Sequence, residues 1–283
     1  MFALLLHPPA QNPELAAQTL ARQLGGTAYD HKAPLLRGLP YLAGWHEDAQ
    51  LVSMRAAELR AVGLPAWAMA QAALDRTPEV RRTRAASWNE GQLRCGFRDG
   101  AAEMTWEHIG WPEIALALPC RADSAQETTT ATTRTTTNMA AMAMGLPLSS
   151  KKTTTERTIE TDSRFYCVLW LAGRGELVRI DAEGTDWSGL GPVMRHGAMA
   201  NFLALQEALR TRVPAAWDPR LERAGGKLAS TTLPPQSSSD RLGSKTSVAT
   251  RTRSWDTESG VMQAVRLLVL ARMLEARTPA QGG

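Results

Sequence analysis

"TTTATTRTTTNMAAMAMGLPLSSKKTTTERT", residues 128 to 158, decides how the rest of the chain is read. Two Thr-rich arms flank a short apolar segment, so the stretch is either a disordered linker or one long hairpin. Thr is β-branched and favours extended backbone, whereas flexible linkers favour Gly, Ser and Pro. Downstream, "KKTTTERTIETD" (151–162) interleaves charge with Thr, as expected of a solvated antiparallel partner. Arms of about twelve residues at roughly 3.3 Å each would reach on the order of 40 Å. Two-stranded ribbons are marginal alone, so the arms need an anchor and a partner near the end. The tip supplies Met139, Met142, Met144, Leu146 and Leu148, flexible apolar groups suited to an adaptable protein contact.

The 283-residue chain is 43% hydrophobic, enough for one large or two small domains and too much for a wholly disordered protein. Net charge is only +4, and the basic excess lies late in the chain. Scattered Arg on a solvated tail accounts for it, which disfavours nucleic acid and leaves an anionic membrane surface as a secondary partner. Cys95, Cys120 and Cys167 form no CxxC pair; a low, odd count points to a reducing, cytoplasmic setting rather than a disulfide framework. "MFALLLHPPAQNPE" lacks a basic n-region and a small-residue cleavage site, so it reads as a strand and not a signal peptide. No apolar run approaches the roughly 18 residues of a membrane-spanning helix.

"FALLLH" (2–7) is a buried strand ended by Pro8 and Pro9. Asn12 and Pro13 open a helix that Gly25 and Gly26 close. After an irregular segment, 27–47, a second helix runs from Asp48 to Val62, and "PAWAMAQ" (65–71) forms a strand. Residues 1–76 thus make a small α/β unit. Within it "GLPYLAGWHEDAQLVSMRAAELRAVGLPAWAM" (38–69) places a Pro before a short loop, a helix with an acidic start, then Gly and an edge strand. This order resembles the ClpS-like fold shared with the C-terminal domain of the ribosomal stalk protein.

From about 87 the period shortens. Leu93, Cys95 and Phe97 alternate, Asp99-Gly100 turns the chain, and Met104 and Trp106 resume the pattern, a hairpin signal. "FYCVLWLAGRGELVRIDA" (165–182) gives two further strands around a Gly-Arg-Gly turn. Asn201 caps "FLALQEALRTRV", whose Phe202, Leu205, Leu209 and Val213 share a helical face before Pro214. Strands followed by one closing amphipathic helix describe a partly open barrel over 87–223, with 125–163 as an insertion. With the W-x-x-I segment from Trp106 to Ile109, the order resembles a bacterial PH-like domain. The resemblance implies binding to protein or lipid headgroups rather than catalysis. The first hairpin offers only Arg94 and Arg98, which weakens the lipid version. Residues 224–254, rich in Ser, Thr, Gly and Pro, read as a disordered linker, and 255–276 as a C-terminal amphipathic helix serving as an interaction element. The fold class is therefore α+β: a small α/β unit plus a PH-like, partly open β-barrel closed by a helix, with a long β-hairpin insertion.

Chemistry-bearing motifs are sparse. His7, His31, His46, His108 and His196 form no HExxH or HxH pattern. Cys95, His108 and Cys120 would have to meet across a hairpin to hold a metal; buried apolar cysteines are the simpler reading, and neither a metal nor a cofactor is assigned. The glycines of 173–175 and 189–191 lack P-loop or dinucleotide context and read as turns. Glu103, Glu107 and Glu113 beside Trp106 and Trp111 match a sugar site, but also edge-strand charges alternating with core aromatics. The function expected is a non-enzymatic scaffold or adaptor whose barrel and insertion bind a protein partner or a second copy of the chain. One alternative is peripheral membrane association through the basic tail and terminal helix. The other is a hydrolase using Cys95 or Cys167 with a histidine.

Overall fold

The structure is a computed structural model that describes residues 1–8, 12–76, 78–98, 100, 102–137, 143, 149–228, 231–232, 236–241 and 246–277. The chain divides into two compact units, one of residues 1–121, 164–228 and 260 onward, the other of 122–163 and 229–259.

The first unit begins with a three-stranded antiparallel sheet ordered β2-β1-β3, built from β1 (Phe2–Leu6), β2 (Tyr41–His46) and β3 (Ala66–Ala70). On one face it carries α1 (Pro13–Leu24), α2 (Ala28–Leu36) and α3 (Ala49–Ala61), with Leu4, Leu6, Leu20, Val52 and Leu59 in the shared core. The caps follow the sequence: Asn12 Oδ1 accepts from the Leu15 N–H at 3.1 Å, and Asp48 Oδ1 accepts from Gln50 and Leu51. Residues 27–47 are not irregular. They hold α2, opened by a Thr27 N–H bond to the Asp30 carboxylate at 2.8 Å, and then β2. Pro34 inside α2 hides the helix from a reading that treats proline as a breaker.

The opposite face of the same sheet, Leu5, Trp67 and Met69, packs on Leu267, Leu270 and Ala271 of the C-terminal helix, Glu258–Arg277. Val261, Val265, Leu268 and Val269 of that helix are also fully buried, away from this contact. The expectation that the helix is a free interaction element is therefore corrected: its apolar surface is core, because its hydrophobic residues run round most of its circumference rather than along one stripe. No described helix is long and apolar enough to cross a membrane.

The same unit contains a partly open barrel, so the fold is α+β. An antiparallel sheet of β5 (Ala85–Trp88), β6 (Gln92–Phe97) and β7 (Thr105–Gly110) faces a second sheet. The latter comprises the stems of β8 (Ile114–Thr137) and β9 (Ser149–Leu171), then β10 (Glu176–Asp181) and β4 (Val80–Arg82). Leu93, Cys95, Phe97, Cys167, Leu169, Val178 and Ile180 fill the space between, and α5 (Ala198–Arg212) closes it with Phe202, Leu205 and Leu209. α4 (Gln71–Asp75) and α6 (Arg220–Ala224) are short connectors, and the terminal helix is α7. Asn201 is not the cap of α5. Gly197 occupies that position, and Asn201, buried one turn in, bonds Arg195 through both side-chain atoms.

The second unit is a sheet of the distal parts of β8 and β9 with β11 (Thr231–Thr232), β12 (Gln236–Arg241) and β13 (Thr246–Asp256). β13 pairs antiparallel with β8 from Thr246↔Arg134 to Asp256↔Ser124. β11 and β12 both pair with β13. Over the described residues 231–232, 236–241 and 246–254 the disordered-linker reading of 224–254 is corrected accordingly. Its Thr, Val and Arg alternation from 246 is a strand pattern that the Ser- and Pro-rich neighbourhood obscures.

Candidate functional site

The two described arms of the Thr-rich stretch, in β8 and β9, pair with each other. Three contacts fix the pairing: Asp123 Oδ1 with Ser163 Oγ at 2.8 Å, Glu127 with Arg157 at 2.8 Å, and Thr133 Oγ1 with Thr153 Oγ1 at 3.0 Å. As the β8 number rises the β9 number falls, so the strands are antiparallel. Met139, Met142, Met144, Leu146 and Leu148, expected to bind a partner, lie outside the described residues.

What the structure does place is the outer edge of β9. Its neighbours are β8 and β10, but β10 pairs only with Tyr166 to Leu171. Along Lys151–Asp162 no described strand meets the other edge, and every one of these twelve residues is exposed. In an antiparallel sheet successive residues turn their N–H and C=O groups to alternate sides, so about half of these amides point to water. The two faces differ in charge. Lys151, Thr153, Thr155, Arg157, Ile159 and Thr161 lie on one face, and Lys152, Thr154, Glu156, Thr158, Glu160 and Asp162 on the other. On β9 itself one face carries two cations, Lys151 and the Glu127-paired Arg157, with a single apolar side chain, the half-exposed Ile159, and the other is net acidic.

The other candidates that the sequence offers resolve as structure. Glu107 pairs with Arg81 at 2.7 Å and Arg174 at 3.5 Å, and Glu113 pairs with Arg174 at 2.7 Å. Two of the three carboxylates of the sugar-site reading are therefore engaged by arginines. Cys95 lies opposite Glu107 and His108 opposite Arg94, so Cys95 and His108 point to opposite faces of the hairpin and cannot share a metal. Among the described residues no group of three or more His, Cys, Asp or Glu could hold one. All three cysteines are buried. Burial, with Glu107 nearby, pushes the Cys95 thiol up to about 12, and burial raises Cys120 and Cys167 well above the ordinary thiol value. A buried thiol whose ionisation is disfavoured is a poor nucleophile at neutral pH.

A polar network with no counterpart in the sequence motifs ties the first unit together. Arg220 chelates Asp218, with Nη2 to Oδ2 at 2.6 Å, and its Nη1 donates to His7 Nε2 at 2.9 Å and to the Gly38 carbonyl at 2.7 Å. His7 Nδ1 in turn donates to Glu275 Oε1 at 2.9 Å. Residues 7, 38, 218 and 275 are too far apart in sequence to suggest each other. No family model matches the chain, and no curated protein or solved structure matches it either.

Proposed function

We propose that this protein is a non-enzymatic scaffold or adaptor that binds a protein partner by strand addition to the outer edge of β9. The single observation that carries the reading is the Lys151–Asp162 edge: twelve exposed residues in β conformation with a paired strand on one side only. An extended segment docking there gains main-chain hydrogen bonds, while alternate side chains meet the basic and the acidic face separately. The charges do two things. They discourage indiscriminate edge pairing, as charged edge strands generally do, and they select a partner segment of complementary pattern. β13 pairs along the other side of β8, so the hairpin belongs to a wider sheet and does not depend on a marginal two-stranded ribbon. Membrane association loses its main element, because the apolar residues of α7 are core.

The reading is tested with paired proline variants of the full chain, Thr154→Pro and Thr155→Pro. One position removes an outward amide and the other an amide bonded to β8. The outward variant is expected to keep its fold and lose partner binding. Retained binding by both variants would rule the edge out.

A further inference from the structure

A second site lies in the sheet and helices of the N-terminal residues. A cavity of about 380 Å³ opens between β2 and the helices α2 and α3, floored by Leu4 and Val52 and walled by Tyr41, His31, His46 and Arg55. Leu4 and Val52 are buried, so the floor is apolar. The side chains of Arg55 and His46 make no hydrogen bond or ion pair among the described residues, and the Tyr41 hydroxyl is buried without a partner. Asp30, the acid on the wall, is engaged by the Thr27 N–H and hydroxyl at 2.8 and 2.9 Å. Of the groups left over, Arg55 can only donate, and the His46 ring can donate through one nitrogen.

A defect in the strand assembles this wall. Ala43 lies opposite Leu4, but Trp45 and not Gly44 lies opposite Ala3, so one extra residue is inserted in β2. Gly44 has φ +71°, a conformation that disfavours other residues. Without the insertion Trp45 would lie opposite Phe2 and His46 would turn away from the helices, since a one-residue shift exchanges the faces of a strand. With it, His46 lies opposite Phe2, which packs on the helix side with Tyr41 and Ala43. Bulges that re-aim a side chain concentrate at binding sites.

We infer that this cavity binds a small organic acid with an apolar body, its carboxylate held by Arg55 and His46 and its body on the Leu4–Val52 floor. A planar guanidinium matches a carboxylate with two parallel bonds, and an apolar floor with a few convergent donors is the usual make-up of a small-ligand pocket.

The test uses the full chain with benzoate, benzamide and benzylamine as probes, followed by ligand-observed NMR and calorimetric titration. Benzoate is expected to bind, benzamide more weakly, and benzylamine not at all. Arg55→Gln should weaken benzoate about tenfold or more, the usual scale for a hydrogen bond to a charged group. Tyr41→Phe should weaken it less, and both variants should melt within a few degrees of the parent. Arg55→Lys separates charge from geometry and should recover only part of the binding. Equal binding of benzoate and benzylamine, no binding of benzoate, or undiminished benzoate binding by Arg55→Gln would each overturn the assignment.

Discussion

Arg157 on β9 reaches Glu127 on β8 at 2.8 Å, across the hairpin and away from the bare edge. Arg157 is about three-fifths exposed and Glu127 about one-fifth, so the pair is partly open to solvent. Exposed pairs contribute about 0–1 kcal/mol and weaken with salt. Glu127→Gln should therefore cost no more than about 1 kcal/mol in urea titrations. A larger loss would mean that the pair is a structural pin.

Stability should fall on acidification through the network around Arg220. Burial and then Arg220 lower His7 below the ordinary histidine value of 6.5, against the opposing pull of Glu275. The unfolded chain then takes up a proton before the folded one as pH drops from about 7, so stability is full above that range and lost below it. Burial alone would raise Asp218, but the bonds and charge of Arg220 hold it below the usual carboxylate range, and its contribution is lost only at lower pH. Thermal melts of the parent and His7→Gln between pH 8 and pH 5 should diverge less as pH falls, within about that window. A pH-independent difference would contradict the account.

Truncating a buried side chain of α7 should be costly. Leu268 is fully buried, and Leu268→Ala should destabilise by about 2–5 kcal/mol, read from urea unfolding. A loss under about 1 kcal/mol would return the helix to the role of a peripheral element.

The apolar runs and caps were legible: Asn12 and Asp48 start their helices as sequence predicts, and Leu93, Cys95 and Phe97 alternate into the barrel. α2 and β13 were not. Pro34 and the Ser-rich flank mimic loop signals, and both elements form because tertiary partners override local preference. The hairpin was legible because ten consecutive residues, 128–137, offer nothing but Thr, Ala and Arg. Its bare edge was not, since which side of a strand stays unpaired depends on where β10 and β13 pair. The His7–Arg220 contact spans 213 residues and leaves no local signature.

Thiol reactivity gives a check on the non-enzymatic reading. Cys95, Cys120 and Cys167 should label slowly with a thiol reagent at neutral pH and rapidly once urea unfolds the chain. Fast labelling of one cysteine in the folded protein would revive a thiol-dependent reaction.

Hydrogen–deuterium exchange over residues 151–162, free and with a captured protein partner bound, tests the central claim most directly. In the free protein about half of these amides should be protected by β8 and the outward half should exchange fast. Binding should slow the outward half as a new strand pairs with it, and leave the α/β sheet unchanged. Unaltered exchange across 151–162 while the partner is bound would contradict strand addition at this edge.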